Sequence, residues 1–347
     1  MSFQGSIELI LGPMFAGKST EMLRRIERAE LAKLRCIVLK YSKDKRYSVD
    51  KVSTHDLQMH KAVPCCLLMD TYSTCLKYEV IGIDEGQFFP DIVEFSQELA
   101  NQGKRVIIAA LDGTFQRKPF GQILRLISKC ESIKKLSAVC TITGKKAPFS
   151  QRLVKSDDIE LIGGAEMYRA ASRSSYFSIK TSGKIHLIIG PIQSGKTTEL
   201  LSILTRHNIA GRSPLLIRHP EGHPINRQIK YDSICTTELP SFESLEKYQI
   251  IGIDEAQRFS GLAQWADDMA NKGKLIIVSA LDSDANQEPY NEIMELFPMC
   301  EKVDKVDSVC PFTGRPAPFT VLFNGIKMLP ISRMGLLEQG LGLLVTP

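Results

Sequence analysis

The stretch IIGPIQSGKTTELL, Ile188 to Leu201, places a glycine, four variable residues and then Gly-Lys-Thr directly after an apolar run. A near copy, LILGPMFAGKSTEML, stands at Leu9 to Leu23. This is the P-loop pattern. Its glycines let backbone N–H groups wrap phosphates, and the helix that follows turns its positive end toward them. The chain holds either two working phosphate sites or one working site and one relic.

The copying extends well beyond these loops. EVIGIDEGQFFPDIVEFSQELANQGKRVIIAALDG, Glu79 to Gly113, aligns without a gap on QIIGIDEAQRFSGLAQWADDMANKGKLIIVSALDS, Gln249 to Ser283. SAVCTITGKKAPFS, Ser137 to Ser150, aligns on DSVCPFTGRPAPFT, Asp307 to Thr320. The phosphate loops lie 178 positions apart and the Asp-Glu motifs 170, so the second copy is eight residues shorter between them. A period this long marks a duplicated domain rather than a solenoid.

Each copy alternates buried strands with helices. IELIL, CIVLKY, VIGIDE and RVIIAALD have no polar face, as expected of strands covered on both sides. STEMLRRIERAELAKL and FPDIVEFSQELANQGK read as helices, the second directing Ile92, Val93, Phe95 and Leu99 to the core and ending at Gly103. The expected fold is α/β: two tandem P-loop-type parallel-sheet domains, with ligands at the carboxyl ends of the strands. The serine-rich stretch Arg169 to Lys184 separates the copies. The expected domains are 1–177, 178–327 and a loosely packed tail, 328–347, without counterpart in the first copy.

Composition sets the outer limits. Of 347 residues 43% are hydrophobic and 24% charged, and the net charge of +5 is spread along the chain, which gives no case for DNA or RNA binding. No apolar run reaches the ~18–20 residues of a membrane helix. The N-terminus enters a strand without a basic leader, so a cytoplasmic location is expected. Nine cysteines without a Cys-x-x-Cys pair read as reduced thiols; Cys65-Cys66 is a vicinal pair near a strand.

In the first copy, Gly12, Pro13, Met14, Phe15, Ala16, Gly17, Lys18, Ser19 and Thr20 form the phosphate loop, with Lys18 facing the β/γ-phosphates of ATP and Ser19 facing Mg²⁺. The run VIGI delivers Asp84 and Glu85 to the end of a buried strand. Asp84 is the natural partner of Mg²⁺, and Glu85 is free to take a proton from an attacking hydroxyl or water, or to cap the turn. These motifs give the reaction type and leave the acceptor open: a kinase, a hydrolytic P-loop ATPase and a nucleotide-binding sensor all fit.

The order and spacing of ILGPMFAGKSTEMLRR, KYSKDKRYS, THD, VIGIDEGQFFPDIVEF, AALDGTFQRKPFG, LSAVC and IELIGGAEMYRAASRSSYF resemble the thymidine kinase family of the cytosolic, type II kind, over nearly all of Ile7 to Phe177. The resemblance implies that Glu85 is the base on the 5′-hydroxyl of thymidine, deoxyuridine being a further substrate. It implies that Asp44 and Arg46 sit near the phosphates, Arg46 stabilising the transferring group, with Gln87 close to metal and phosphate. It implies an apolar thymine pocket from Met14, Phe88, Leu111, Phe115, Phe120 and Tyr168, with Arg117 beside it. A C-terminal lasso subdomain, about 137–177, would close over the base through Gly163 and Gly164. Feedback by dTTP and assembly into tetramers are also implied; for a tandem chain the latter becomes a dimer of four domains.

The sequence departs from the family in one clear respect. Its structural zinc needs two Cys-x-x-Cys pairs, and the matching positions here are Cys140, Thr143, Ser172 and Ser175. No structural zinc is expected, because hydroxyls replace thiolates poorly in a tetrahedral site.

The second copy keeps Gly190, Gly195, Lys196, Thr197, Asp254, Glu255 and Gln257 and loses the thymine side. LDGTFQRKPFG has become LDSDANQEPYN, Phe88 is matched by Arg258, and no IGGAEMY segment follows Pro318. The added Asp284 and Glu288 are expected to repel phosphates. A second copy that holds nucleotide at most, without kinase activity, is the expectation.

Overall fold

The computed structural model describes residues 5–42, 51–53, 59–156, 158, 163–180, 182–225, 228–325 and 327–341. They divide into two compact units, 1–172 with 332–347, and 173–331. The cut therefore falls at Ser172/Arg173 rather than after 177, and the last segment joins the first unit instead of standing apart.

In the first unit, β1 (Ser6–Gly12), β2 (Cys36–Tyr41), β3 (Val63–Cys65), β4 (Val80–Asp84), β5 (Arg105–Leu111) and β6 (Ser132–Lys135) form one parallel sheet in the order β3-β2-β4-β5-β1-β6. Ile7, Leu9, Ile10 and Leu11 are fully buried, as are Val80, Ile81 and Ile83, so the uniformly apolar runs mark a sheet covered on both faces. Helix α1 (Lys18–Leu31) buries Met22, Leu23, Ile26 and Ala29, one stripe at helical spacing. A Cβ on Gly82 would stand 3.2 Å from the Ile26 side chain, so this glycine lets α1 lie close on β4. Helix α2 (Ile92–Asn101) buries Ile92, Phe95 and Leu99 as expected, whereas Val93 is only half-buried. Beyond the sheet, β7 (Phe149–Arg152) pairs antiparallel with β8 (Tyr168–Ala171).

The second unit opens with a short helix, α3 (Arg173–Phe177), and repeats the plan. Strands β9 (Lys184–Gly190), β10 (Pro214–Arg218), β11 (Asp232–Cys235), β12 (Ile250–Asp254), β13 (Leu275–Leu281) and β14 (Lys302–Lys305) form a parallel sheet in the order β11-β10-β12-β13-β9-β14. Helices α4 (Lys196–Ile209) and α5 (Leu262–Asn271) pack against it. Strands β15 (Phe319–Phe323) and β16 (Lys327–Ile331) form an antiparallel pair joined by a tight turn, where the first unit has a long connection between β7 and β8.

The chain's ending corrects the expectation of a tail without counterpart. Residues 327–331 form β16, the partner strand that corresponds to β8. Helix α6 (Arg333–Glu338) then follows a buried Ser332 whose hydroxyl accepts the Gly335 N–H, and it buries Arg333 and Leu336 in the first unit. Among the described residues no helix is long and apolar enough to cross a membrane.

Candidate active site

The loop between β1 and α1 is shaped by its backbone. Gly12 has φ 149°, and a Cβ there would lie 2.5 Å from the Leu136 carbonyl oxygen, so only glycine fits beside the segment after β6. Phe15 and Gly17 are both left-handed, at φ 64° and 77°, and Gly17 opens α1. Alternating hand in this way turns successive N–H groups inward, the geometry that receives anionic oxygens. Lys18 lies over the loop, its Nζ donating to the Pro13 carbonyl at 2.8 Å. The Met14 N–H donates to Ser150 Oγ at 2.8 Å, tying the loop to β7. Ala16 packs against the cluster of Ala138, Cys140, Ala147 and Ala170, while Thr20 is exposed.

Register carries the acids to this loop. Strand β5 runs between β4 and β1, pairing Leu111 with Gly12 and Ile108 with Ile83. Asp84 and the loop therefore meet across one strand, and Ser19 Oγ donates to Asp84 Oδ1 at 2.8 Å. Burial, and next to it the charge of Glu85, push the Asp84 carboxyl up, against the hydrogen bond from Ser19 and the charge of Lys18. Glu85 itself is left-handed, φ 56°, an unusual backbone state for a side chain of this size. Gln87 fixes it: its Nε2 donates to Glu85 Oε2 at 2.6 Å, and its Oε1 accepts the Leu111 N–H at 2.9 Å. Both ends of the Gln87 amide are thus engaged with protein, beside the acidic pair.

An aromatic wall stands beside the acids. Phe88 stacks on Tyr41 with ring centres 5.1 Å apart, and Phe120 meets Phe88 edge-on at 5.5 Å. Gly121 allows this approach, since a Cβ there would lie 2.3 Å from the Gln87 carbonyl oxygen. Arg117, left-handed and buried, lies over the Phe149 ring at 5.3 Å. Arg152 gathers the remaining pieces. Its guanidinium sits 3.8 Å from the Phe115 ring centre, donates to Tyr168 Oη at 2.8 Å, and reaches the carbonyls of Ser156 and Asp158. Gly163 is buried and Gly164 donates its N–H to Glu166 Oε1 at 2.8 Å. Asp44, Arg46 and the segment Thr54-His55-Asp56 lie outside the described residues.

Three partners were missed by sequence reasoning: Tyr41, Arg152 and the buried pair Lys135–Asp112, 2.5 Å apart, which has a twin in Lys305–Asp282 at 2.8 Å. A lysine at the end of an edge strand carried no local signal. The aspartate of the repeated Ala-Leu-Asp motif did recur in both copies, and was the available clue.

Around the four zinc-matching positions, Thr143 Oγ1 and Ser172 Oγ are hydrogen-bonded to each other at 3.0 Å. Burial raises the Cys140 thiol, but hydrogen bonds from Thr143 and Ser172 outweigh it and bring it down to about 6. Among the described residues no group of three or more His, Cys, Asp or Glu side chains is placed to hold a metal.

In the second unit the loop geometry recurs. Gln193 and Gly195 are left-handed, Lys196 Nζ donates to the Pro191 carbonyl at 2.5 Å, and Thr197 Oγ1 donates to Asp254 Oδ1 at 3.0 Å. A Cβ on Gly190 would lie 2.1 Å from the Val306 carbonyl oxygen, as at Gly12. Glu255 is left-handed at φ 53° and held by Gln257 at 2.7 Å. Around it, however, stand His223 at 3.4 Å and Arg258 at 3.8 Å, where the first unit has its aromatic wall. Asp284 shapes its own turn. Its Oδ1 accepts the N–H groups of Asn286 and Glu288 at 2.8 and 2.9 Å, taking over the turn-forming part that Thr114 Oγ1 plays in the first unit.

Comparison with known proteins fits this duplicated arrangement. The sequence model of the family described as thymidine kinase matches residues 5–176 and again residues 183–331. The chain belongs to the thymidine kinase family. It is 55% identical over 183 residues to thymidine kinase 1 of Dictyostelium discoideum, covering 52% of this chain and 81% of that protein. It is 53% identical over 181 residues to the cytosolic thymidine kinase of Homo sapiens, 52% of this chain and 76% of that one. With thymidine kinase of Vaccinia virus (strain Western Reserve) the figures are 52% over 172 residues, 50% and 97%.

Proposed function

We propose that the first unit phosphorylates the 5′-hydroxyl of thymidine, and of deoxyuridine, with ATP. The observation that carries this reading is the junction at Glu85. A carboxylate locked by Gln87 stands between the Ser19–Asp84 pair on one side and the Tyr41–Phe88–Phe120 wall on the other. A hydrolase or a nucleotide sensor needs the first side only.

On this reading the fold is of the P-loop type. The N–H groups of residues 15–19 receive the phosphates, Lys18 and Arg46 offset charge on the transferring group, and Glu85 accepts the proton of the attacking hydroxyl. Ser19 and Asp84 offer an all-oxygen donor pair, and a buried carboxylate is stabilised by a cation beside it, which suits Mg²⁺. Bound there, Mg²⁺ neutralises phosphate charge. Met14, Phe88, Leu111, Phe115, Phe120 and Tyr168 hold the base, Arg117 borders it, and residues 137–177 act as a lasso whose Gly163–Gly164 main chain reads the base edge.

The second unit is proposed to be catalytically silent while keeping a nucleotide site at Gly190, Gly195, Lys196, Thr197 and Asp254. His223 at 3.4 Å and Arg258 at 3.8 Å put basic side chains beside Glu255, which supports this reading. A cytoplasmic location, feedback by dTTP and pairing of two tandem chains into a four-domain assembly complete the reading.

Transfer of phosphate from ATP to thymidine by the wild type, Glu85→Gln and Lys196→Ala tests it. Glu85→Gln is expected to abolish product and Lys196→Ala to spare most of it. Activity that survives the first change and dies with the second would move the working site to the second unit; ATP hydrolysis without a nucleoside product would favour the ATPase.

A further inference from the structure

Two buried arginines use their guanidinium groups in the same way. In the first unit, Arg333 is 2% exposed. Its Nε donates to Glu131 Oε1 at 2.6 Å, its Nη1 to Asn101 Oδ1 at 2.9 Å, and its Nη2 to the Lys129 carbonyl at 2.8 Å. In the second unit, Arg173 is 3% exposed. Its Nε donates to Glu301 Oε1 at 2.7 Å, its Nη1 to Asn271 Oδ1 at 2.9 Å, and its Nη2 to the Met299 carbonyl at 2.7 Å. The sockets are equivalent position by position. Asn101 and Asn271 end the central helices α2 and α5, and Glu131 and Glu301 precede β6 and β14. The second socket adds Asp267, 2.5 Å from Arg173 Nη1, where the first has Gln97.

Each glutamate also grips the start of a central strand. Glu131 Oε2 accepts the Ile7 N–H at 2.6 Å, and Glu301 Oε2 accepts the Ile185 N–H at 2.6 Å. The arginine thus neutralises a carboxylate that pins β1 or β9. Three acceptors set around one planar fork fit a guanidinium and not a lysine, which brings a single point charge.

The origin of the arginines is the informative part. Arg173 follows Ala171-Ser172 at the end of the first sequence copy, and Arg333 follows Ile331-Ser332 at the end of the second. Yet Arg173 belongs to the unit built from the second copy, and Arg333 to the unit built from the first. We propose that the chain exchanges its endings reciprocally: each copy supplies the arginine-headed helix that fills the other's socket. The segment from Ser332 to Leu341, which lies beyond the family match, is then a structural part of the first unit. This inference is independent of which unit performs chemistry.

The test uses the full chain and needs no activity. Trp265, the single tryptophan, lies on α5 of the second unit, so its fluorescence follows that unit's unfolding. In scanning calorimetry, Arg333→Ala is expected to lower the transition that Trp265 does not follow by about 10 °C, with Arg333→Lys falling between. Arg173→Ala should lower the Trp265 transition instead. Hydrogen exchange supplies a second readout if the transitions merge. Arg333→Ala should accelerate exchange in residues 5–12 about tenfold or more and leave 184–190 unchanged, and Arg173→Ala should do the reverse. An Arg333→Ala chain that melts like the wild type, or that loosens 184–190 rather than 5–12, overturns the proposal.

Discussion

Gln87 holds Glu85 with its amide nitrogen at 2.6 Å, and with its amide oxygen it takes the Leu111 N–H at 2.9 Å. The proposed base is therefore anchored to the end of β5, the strand that separates it from the phosphate loop. Gln87→Ala leaves Glu85 in place but frees its orientation. The expected outcome is a kcat about 10–100-fold lower with thymidine KM nearly unchanged, read by steady-state kinetics. A change confined to KM would refute the positioning part.

Arg152 gives the opposite signature. It lies over Phe115 and donates to Tyr168, two residues proposed to enclose the base. Arg152→Ala should raise thymidine KM about tenfold with a smaller effect on kcat, and Arg152→Lys should recover only part, since an ammonium lacks the flat face that stacks on the ring. Equal losses in kcat for both variants, with KM unmoved, would contradict this.

Glu21 makes the first unit sensitive to acid. Burial works against its charge, but hydrogen bonds from Lys134, Arg24 and Arg25 prevail and hold the carboxyl at about 2, below its ordinary 4.5. A folded value below the unfolded one stabilises the fold above about pH 4.5, and that contribution is lost as pH falls toward 2. The Tm advantage of the wild type over Glu21→Gln should thus be full at pH 6 and shrink steadily on acidification. A difference that does not vary with pH would rule the explanation out.

Thr143 and Ser172 are hydrogen-bonded to each other, and we propose that the segment around Cys140 holds without a metal. Elemental analysis of the purified chain should find less than about 0.1 zinc per molecule, because one thiolate with hydroxyls is a poor tetrahedral set. One zinc per chain would overturn this.

What the sequence revealed and what it hid divide along contact distance. The phosphate loop, the acids at the end of VIGIDE and the buried strands are written in short runs, where strand burial, glycine hand and helix spacing act within a dozen residues. Phe88 and Phe120 were legible from the family pattern and do meet edge-on. The second role of Gln87 was hidden because its partner Leu111 is 24 positions away on another strand. The sequence reads Arg333 as part of a loosely packed tail because its partner Glu131 is 202 positions earlier, beyond any periodicity. The turn-forming part of Asp284 was hidden because composition shows a carboxylate and not the two N–H groups that it accepts.

Glu255 keeps the left-handed backbone of Glu85, 53° against 56°, and the same glutamine brace. The second unit thus still carries the conformational cost of a poised carboxylate, on the order of 1 kcal/mol or more. On the proposal that this unit is catalytically silent, the steps needed to re-equip it sort themselves by kind. Arg258 and the residues of the 284–290 turn are exchangeable one by one. The tight turn between β15 and β16 is different, since a cover over a bound base would have to be inserted there as new chain.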